Sequence, residues 1–417
     1  MGLYKRTKNN SKPLARQIID LIPFWILNSC IKAHQANKGC WRYKTYDQLA
    51  ALIFGQLNKC FTLQDISTAI GVNMTFIADL GLTQSPARST MSDGNKKRTY
   101  KVFEMLYIKL LSHYKNVLLK QHCSHIIEEI KAKTIKIIDS TTITLCLSLF
   151  DWADFRTAKG GIKIHTCWDE ALMLPEYVCI SEAKVHDSKG LENNIFKAGT
   201  IIVEDRAYFD FSLMLARIKA DNVFVTRIKE NTVYETIQEL DIDMHEQKKI
   251  VLLDEHIRLT SQKAIKTGIS QHTLRKVTVY DEQKDEWIDI ITNNLEWSSE
   301  TIAELYKRRW DIELFFKALK QNLQVKTFTG TSENAVKSQI YVAMICYLLV
   351  ELIRRNICKT SQAFSNFCER IRICFTYYLS LDYVCNNIKP GAIRVKANPP
   401  PDLFSSGLTQ NRLFQFT

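Results

Sequence analysis

Four chemically active side chains recur at helical spacing near residue 313, namely Tyr306, Arg309, Glu313 and Lys320. At about 100° per residue these positions fall within an arc of roughly 60°, so a phenol, a guanidinium, a carboxylate and an ammonium share one narrow stripe. Apolar residues occupy the adjoining arc, at Leu305, Ile312, Phe316, Leu319 and Leu323. A charged stripe beside a buried face is typical of a site, although most charged helix faces are simply solvated.

Two aspartates upstream of this helix each follow a short β-branched segment. Residues 133–138 lead into Asp139, and residues 199–204 lead into Asp205. Runs of this kind suit interior strands of a covered sheet, which place working groups beyond the strand ends. If the two strands are neighbours, the two aspartates lie side by side. A lone aspartate there is more often a turn or cap residue, but two of them ahead of Glu313 favour a site.

Three carboxylates that converge on one spot repel one another unless cations neutralise them. Hard oxygen ligands of this kind select Mg²⁺ or Mn²⁺. Two such ions about 3.5–4 Å apart can activate an attacking oxygen and stabilise a leaving oxygen at phosphorus. Asp139, Asp205 and Glu313 therefore predict phosphoryl transfer on a nucleic acid, with two metal ions as cofactors.

The spacing of Tyr306, Arg309, Glu313 and Lys320 resembles the signature of bacterial insertion-sequence transposases of family four, the hairpin-forming cut-and-paste DDE enzymes. The resemblance covers roughly residues 40–385. It implies that Asp139, Asp205 and Glu313 are the catalytic and metal-binding triad. It also implies that Tyr306, Arg309 and Lys320 bind DNA, with the two cations clamping phosphates near the hairpin.

One departure from the family pattern follows the second aspartate. Arg206-Ala207-Tyr208 stands where many members have Arg-Gly-Tyr. Because alanine does not easily adopt positive φ, the turn after Asp205 is expected to differ slightly from the family's.

The resemblance further implies a fold, a reaction and partners. The fold is α/β, with a ribonuclease H-like catalytic core, a helical N-terminal DNA-binding region and an all-β insertion. The reaction is cleavage of the element's terminal inverted repeats through a hairpin intermediate, followed by joining to target DNA. Double-stranded DNA is the partner, a homodimer is expected in the DNA complex, and the location is the bacterial cytoplasm at the nucleoid.

Composition agrees with a nucleic-acid enzyme. The 417 residues carry 56 Lys and Arg against 44 Asp and Glu, a net charge of +12, which favours a polyanionic partner. The twelve cysteines include no Cys-x-x-Cys pair, so free thiols in a reducing compartment are expected. The longest apolar stretch, residues 341–350, is too short to span a bilayer, and no membrane segment is expected.

Residues 1–128 are helical in character and form the predicted DNA-binding region. The segment from Thr62 to Val72 has a cap, a short amphipathic helix and a glycine turn, which fits a helix-turn-helix unit and equally an ordinary helical hairpin. A second segment is basic and rich in hydroxyl groups, and its cations favour DNA contact. These cations are Arg88, Lys96, Lys97 and Arg98.

Residues 129–385 form the predicted catalytic domain. The order of three strands, a helix, a strand, a helix and a strand up to residue 227 is that of the ribonuclease H-like fold. An insertion is predicted at about 228–296. Trp287 within it and Trp297 just after it are each candidates for stacking on a flipped base or for anchoring the insertion's core, with Trp287 preferred. Residues 386–417 are expected to form a mobile tail.

Two other classes of function remain open from the sequence. The chain could be a metal-dependent nuclease without strand transfer, which the hairpin signature disfavours. It could also be an inactive DNA-binding repressor derived from a transposase, which the intact carboxylate triad disfavours.

Overall fold

The computed structural model describes residues 11–119, 128–131, 133–145, 152, 160–183, 196–242, 251–281, 285–323, 325 and 327–388. The tail expected at 386–417 therefore lies outside the described residues from position 389 onward.

The first described region is built from helices. They are α1 (Leu14–Ile19), α2 (Phe24–Ala33), α3 (Thr45–Leu57), α4 (Leu63–Gly71), α5 (Met74–Asp79), α6 (Arg88–Lys97) and α7 (Lys101–Leu119). Helix α4 begins where the sequence predicted a cap, because the Thr62 side chain accepts from the Asp65 amide and the Asp65 side chain accepts from the Thr62 amide. Helix α4 packs against α3, α5 and α6, so the basic helix α6 rests on a helical scaffold.

The centre of the molecule is a mixed sheet. Its strands are β1 (Ile135–Leu145), β2 (Gly160–Asp169), β3 (Leu174–Glu182), β4 (Ile201–Glu204) and β5 (Val223–Arg227), with helix α8 (Phe211–Lys219) between β4 and β5. The spatial order is β3-β2-β1-β4-β5; β1 pairs antiparallel with β2 and parallel with β4, and β4 pairs parallel with β5. The helix predicted between β3 and β4 falls largely on residues 184–195, outside the described residues.

Four further strands extend the same sheet beyond β5. They are β6 (Tyr234–Glu239), β7 (Val251–Leu259), β8 (Leu274–Asp281) and β9 (Glu286–Thr292), in the order β9-β8-β7-β6, and β9 pairs antiparallel with β5. This part of the chain is not all-β as expected. Helix α9 (Gln262–Thr267) lies between β7 and β8, because Ser261 caps its first amides and Gly268, with φ of 86°, ends it.

The remaining helices are α10 (Ser299–Lys307), α11 (Trp310–Gln321), α12 (Glu333–Asn356), α13 (Phe364–Cys374) and α14 (Leu381–Asn386). Among the described helices, α12 alone is long and apolar enough to cross a membrane, yet 94% of its most apolar window is buried inside the protein. It packs against α3, α7 and α11, and one hydrophobic core joins these helices to the sheet. Helix α12 is thus the central core helix.

Candidate active site

Asp139 and Asp205 occupy equivalent positions on neighbouring parallel strands. The parallel register between β1 and β4 ends at Ile138 opposite Glu204, so each aspartate is the next residue of its strand path. The prediction that the two strands are neighbours is confirmed. The prediction that the first strand stops at Asp139 is wrong, because β1 continues to Leu145 in antiparallel pairing with β2, where Asp139 is opposite Thr166.

Asp205 lies just beyond β4 and begins a short 3₁₀ helix, Arg206–Tyr208. Its carboxylate accepts a hydrogen bond from the amide of Ala207 at 3.4 Å. Ala207 is not among the described residues with positive φ, so the turn holds alanine without strain. The preceding Glu204 points the other way and pairs with buried Arg217 at 3.0 Å, as strand alternation requires.

Glu313 lies in the first turn of α11, where the helix dipole favours a carboxylate. The four signature residues do not share one uninterrupted helix as predicted: Tyr306 is in α10, Arg309 occupies the N-cap position of α11 without a capping side-chain hydrogen bond, and Glu313 and Lys320 are within α11. Arg308, at the interruption, turns away to pair with Glu170 at 2.5 Å. The apolar face is confirmed, since all of its predicted members are buried: Leu305, Ile312, Phe316, Leu319 and Leu323.

Arg309 joins two of the three carboxylates. Its Nη1 lies 2.6 Å from Glu313 Oε1 and 3.2 Å from Asp139 Oδ2, and the residue is only 7% exposed. The guanidinium also lies 5.7 Å from the centroid of the Tyr306 ring. Three of the four signature residues are therefore in direct contact beside Asp139, and a protein cation, Arg309, neutralises part of the carboxylate cluster.

The electrostatics of the pocket follow from burial and crowding. Burial, followed by the nearby carboxylate of Asp205, raises the pKa of Asp139 to about 7, while Arg309 opposes that rise. Burial also raises the pKa of the Tyr306 phenol to about 12. Burial lowers the pKa of Arg309, but Tyr306, Asp139 and Glu313 together raise it above its ordinary value, so the guanidinium stays charged.

A pocket of about 510 Å³ opens over this cluster. Ten residues line it: Asp139, Ser140, Thr141, Asp205, Arg309, Glu313, Phe316, Lys317, Lys320 and Gln321. The structure thus brings the predicted triad together with Arg309 and Lys320. Lys317 was missed by the sequence analysis, although it follows Glu313 by one helical turn and so falls beside the same stripe.

Among the described residues, no cluster of three or more acidic, histidine or cysteine side chains is already arranged around a metal position. The donor set nevertheless suits a hard cation, because three carboxylates face one pocket. Arg309 lies between Asp139 and Glu313, so those two carboxylates are held by its guanidinium.

The predicted DNA-binding cations separate into two groups. Arg88, Lys96 and Lys97 are exposed on α6. Arg98 instead lies in the interior, at 6% exposure, and donates to the carbonyl oxygens of Ala36 and Tyr43 at 2.9 and 2.8 Å. DNA contact by Arg98 does not fit this placement, because its guanidinium is used within the protein.

The two candidate tryptophans differ in exposure. Trp297 is buried, and its backbone oxygen accepts from Arg275, so it anchors the start of α10. Trp287 is 46% exposed on β9, with its ring 5.1 Å from that of Tyr280. Trp287 is not among the residues that line the carboxylate pocket.

Comparison with known proteins places this geometry in a family. Residues 130–349, which contain all three carboxylates, match the family described as transposase DDE domain. The chain belongs to this transposase family. Its DDE domain is of the ribonuclease H-like superfamily, in agreement with the mixed α/β sheet. Residues 10–82 match a second family, described as a domain of unknown function (DUF4372).

Three curated relatives are similar to this DDE transposase chain. A probable transposase for insertion sequence element IS5377 from Geobacillus stearothermophilus is 29% identical over 255 residues, covering 60% of this chain and 65% of the relative. The putative transposase y4zB from Sinorhizobium fredii is 30% identical over 272 residues, or 65% and 72%. A putative transposase for insertion sequence element IS4SA from Synechocystis is 27% identical over 278 residues, or 64% and 71%.

Among solved structures, the chain is similar to that of a piggyBac transposase synaptic complex with hairpin DNA. The likeness covers 87% of this chain and 79% of the other, with 9% identity and a TM-score of 0.41. A likeness at this TM-score supports no argument about fold or function.

Proposed function

We propose that this protein is the transposase of a bacterial insertion element, which cleaves the element's ends by metal-dependent phosphoryl transfer and joins them to target DNA. The observation that carries this proposal is the meeting of Asp139, Asp205 and Glu313 in one pocket with Arg309 and Lys320. Carboxylates that face cations across an open pocket suit a phosphate ester, because the same site can hold metal and clamp the phosphate oxygens.

Asp139, Asp205 and Glu313 would hold Mg²⁺ or Mn²⁺, in a site for two ions. Bound there, the ions supply activation of the attacking oxygen and stabilisation of the leaving oxygen. The carboxylate side chains provide the hard oxygen donors that these ions prefer. Metal binding requires Arg309 to release Asp139 and Glu313, which it contacts through Nη1.

Arg309 would then turn from the carboxylates to the DNA. Its planar guanidinium suits a bidentate contact with phosphate, and Lys317 and Lys320 line the same pocket within reach of a neighbouring phosphate. In the free protein the charge of Arg309 thus neutralises the carboxylates as a metal ion would, and in the DNA complex its guanidinium binds a phosphate. Tyr306, stacked near Arg309, supports the guanidinium from one side.

The hairpin route is the finer part of the proposal, and it rests on the resemblance of the Tyr306, Arg309, Glu313 and Lys320 spacing. Water attacks the phosphorus at one strand of the element end, and a 3′ hydroxyl leaves. That hydroxyl then attacks the phosphorus of the opposite strand, which closes the end into a hairpin and releases the flanking DNA. Trp287 is proposed to stack on a base that leaves the helix as the strand bends.

The exposed cations of α6 are proposed to bind the terminal repeats as duplex DNA, since Arg88, Lys96 and Lys97 lie on one short helix supported by α4. Two ends must be processed together, so a homodimer assembled on DNA is proposed. We propose that the reaction takes place in the bacterial cytoplasm, at the nucleoid.

The test is a cleavage assay on duplexes that carry the element's end. With Mg²⁺ and purified protein, a denaturing gel is expected to show a nick at the end followed by a hairpin, and a supercoiled target is expected to receive the reopened end. Cleavage at many positions without joining would favour a metal-dependent nuclease. Specific binding of the end without any cleavage, with either Mg²⁺ or Mn²⁺, would favour a repressor derived from a transposase.

A further inference from the structure

A second pocket lies outside the active site, between helix α6 and the loop of residues 34–44, which we name the α2–α3 loop. Its volume is about 580 Å³. The Lys and Arg residues that line it are Lys38 and Arg42 from the loop, Lys97 from α6, and the buried Arg98 that follows α6. Asp93 also lines it, and pairs with Lys97 at 3.2 Å.

The chain around this loop is free of acidic residues. No Asp or Glu occurs from residue 21 to residue 46, whereas Lys32, Lys38, Arg42 and Lys44 all fall within that segment. A run of this length with one sign of charge creates a local positive potential, which attracts a polyanion. The loop therefore adds cations beside those of α6.

Trp41, at the tip of this loop, is 90% exposed. An indole is among the largest apolar side chains, and its exposure to water is costly unless a partner covers it. Because Trp41 stands between Lys38 and Arg42, the partner must accept an aromatic ring and two cations together. The sugar–phosphate backbone with its adjacent base edges has this combination of surfaces.

Arg98 fixes the loop to α6. Its Nε donates to Ala36 O at 2.9 Å and its Nη2 to Tyr43 O at 2.8 Å, so one buried guanidinium spans the two ends of the loop. Gly94 of α6 permits the close approach of the loop, since a Cβ there would lie 2.8 Å from the Tyr43 ring. The loop and α6 thus form one rigid surface.

We propose that the α2–α3 loop and α6 together form a single duplex-DNA-binding surface. Helix α6 enters the major groove, Lys38 and Arg42 bind phosphates of the flanking backbone, and Trp41 packs against the sugar and base edge beside them. Arg98 is a positioning residue that holds the loop. This inference rests on the proposed function, because it takes the protein to be a duplex-DNA-binding enzyme.

The test measures binding of the full chain to a labelled mixed-sequence duplex by fluorescence anisotropy over a range of salt concentrations. The Lys38→Gln/Arg42→Gln pair is expected to lower the slope of log affinity against log salt by about two, one for each phosphate that the variant no longer binds. Trp41→Ala is expected to weaken binding by about tenfold at fixed salt without changing the slope, because the uncharged indole no longer buries apolar surface against the duplex. Lys219→Gln/Lys359→Gln, which removes two exposed cations elsewhere, and Trp25→Ala, which removes another exposed indole, are the matched controls.

The role of Arg98 is tested by a double-mutant cycle. Arg98→Met is expected to weaken binding and to lower the salt slope as Lys38→Gln/Arg42→Gln does, and to add little in a background that carries Lys38→Gln, Arg42→Gln and Trp41→Ala, whereas a merely structural role would add its full effect. Circular dichroism on both variants confirms the fold.

The outcomes separate the inference from the proposed function. If the wild-type chain binds the duplex and both loop variants match their controls, the inference is overturned while the proposed function stands. If the wild-type chain binds no duplex, both are overturned. Tighter binding to the corresponding single strand, with Trp41→Ala affecting that strand alone, would overturn the assignment of duplex DNA.

Discussion

At the scale of single residues, the central feature of the candidate active site is the contact of Arg309 with its carboxylates. One buried guanidinium is shared by Asp139 and Glu313, while the third carboxylate, Asp205, faces the same pocket. Without a positive charge these carboxylates would repel one another, and the pKa of Asp139 is already raised to about 7 by burial and by Asp205. If the proposed metal ions bind there, Arg309 and a metal ion compete for the same carboxylates.

This competition predicts that Arg309→Gln binds Mn²⁺ more tightly than the wild type does in the absence of DNA. The expected increase is about tenfold, because the metal no longer has to displace a guanidinium from two of its ligands. Titration calorimetry, or Mn²⁺ electron paramagnetic resonance, measures it without reference to activity. Arg308→Gln is the matched control, since Arg308 pairs with Glu170. Equal affinity in wild type and Arg309→Gln would refute the competition.

The three carboxylates of the pocket could be predicted from the sequence, but Lys317 and the contacts between side chains could not. Asp139 and Asp205 stand out because each follows an apolar run, and Glu313 because it shares a helical stripe with two cations. By contrast, no pattern in the sequence indicated that Arg98 is buried. Its acceptors, Ala36 and Tyr43, come from a loop more than 50 residues away in sequence, and only the packing of that loop on α6 brings them together.

At the scale of elements, the active site depends on two parallel strands and one helix. The register of β1 and β4 sets the two aspartates side by side, and α11 packs on β1 and α12, which brings Glu313 to them. The sequence predicted the strands but not the full length of β1. Residues beyond Asp139 remain in the strand because β2 pairs with them, and pairing partners so distant along the chain are invisible to local propensity.

A further prediction concerns Trp287, which lies on β9, one of the strands beyond β5. If its indole stacks on a displaced base, Trp287→Ala leaves first-strand nicking nearly intact while the hairpin product falls by roughly tenfold, because base stacking is worth about 1–3 kcal/mol. Denaturing gels resolve the two products. Ile237→Ala on β6, with 44% exposure against 46% for Trp287, is the matched control. Equal loss of both products in Trp287→Ala would argue against a specific hairpin role.

The exposed cations of helix α6 lead to a prediction about the salt dependence of DNA binding. Replacing Arg88, Lys96 and Lys97 together by glutamine is expected to lower the salt slope of end binding by up to about three, if each exposed cation contacts one phosphate. Anisotropy at several salt concentrations gives the slope. A slope unchanged from that of the wild type would move the binding surface away from α6.

At the scale of the whole molecule, α12 joins the N-terminal helices to the sheet. Buried Glu351 pairs with Arg354 and Arg355 at 2.8 and 2.6 Å. Arg355 also donates to the backbone oxygens of Leu172 and Met173 in the turn between β2 and β3. Arg354 donates instead to the backbone oxygen of Gln362, so the buried carboxylate holds one cation, Arg355, that connects α12 to the central sheet.

Loss of this carboxylate is expected to destabilise the fold. Glu351→Ala leaves two cations partly buried and unpaired, and is predicted to lower the free energy of unfolding by about 3–5 kcal/mol. Urea denaturation measures the change. Glu333→Ala removes an exposed carboxylate paired with Lys337 on the same helix, and is expected to cost less than about 1 kcal/mol. Similar costs for the two variants would show that the Glu351 cluster does not support the core.

The most direct test of the proposed function is cleavage of element-end DNA by three variants, Asp139→Ala, Asp205→Ala and Glu313→Ala. Each variant is predicted to lose Mg²⁺-dependent cleavage while binding the DNA within a few-fold of the wild type, because each removes a metal ligand and no phosphate contact. Asp311→Asn, on α11 but outside the pocket lining, should cleave normally. Normal cleavage by any one of the three alanine variants would contradict the assignment of the triad.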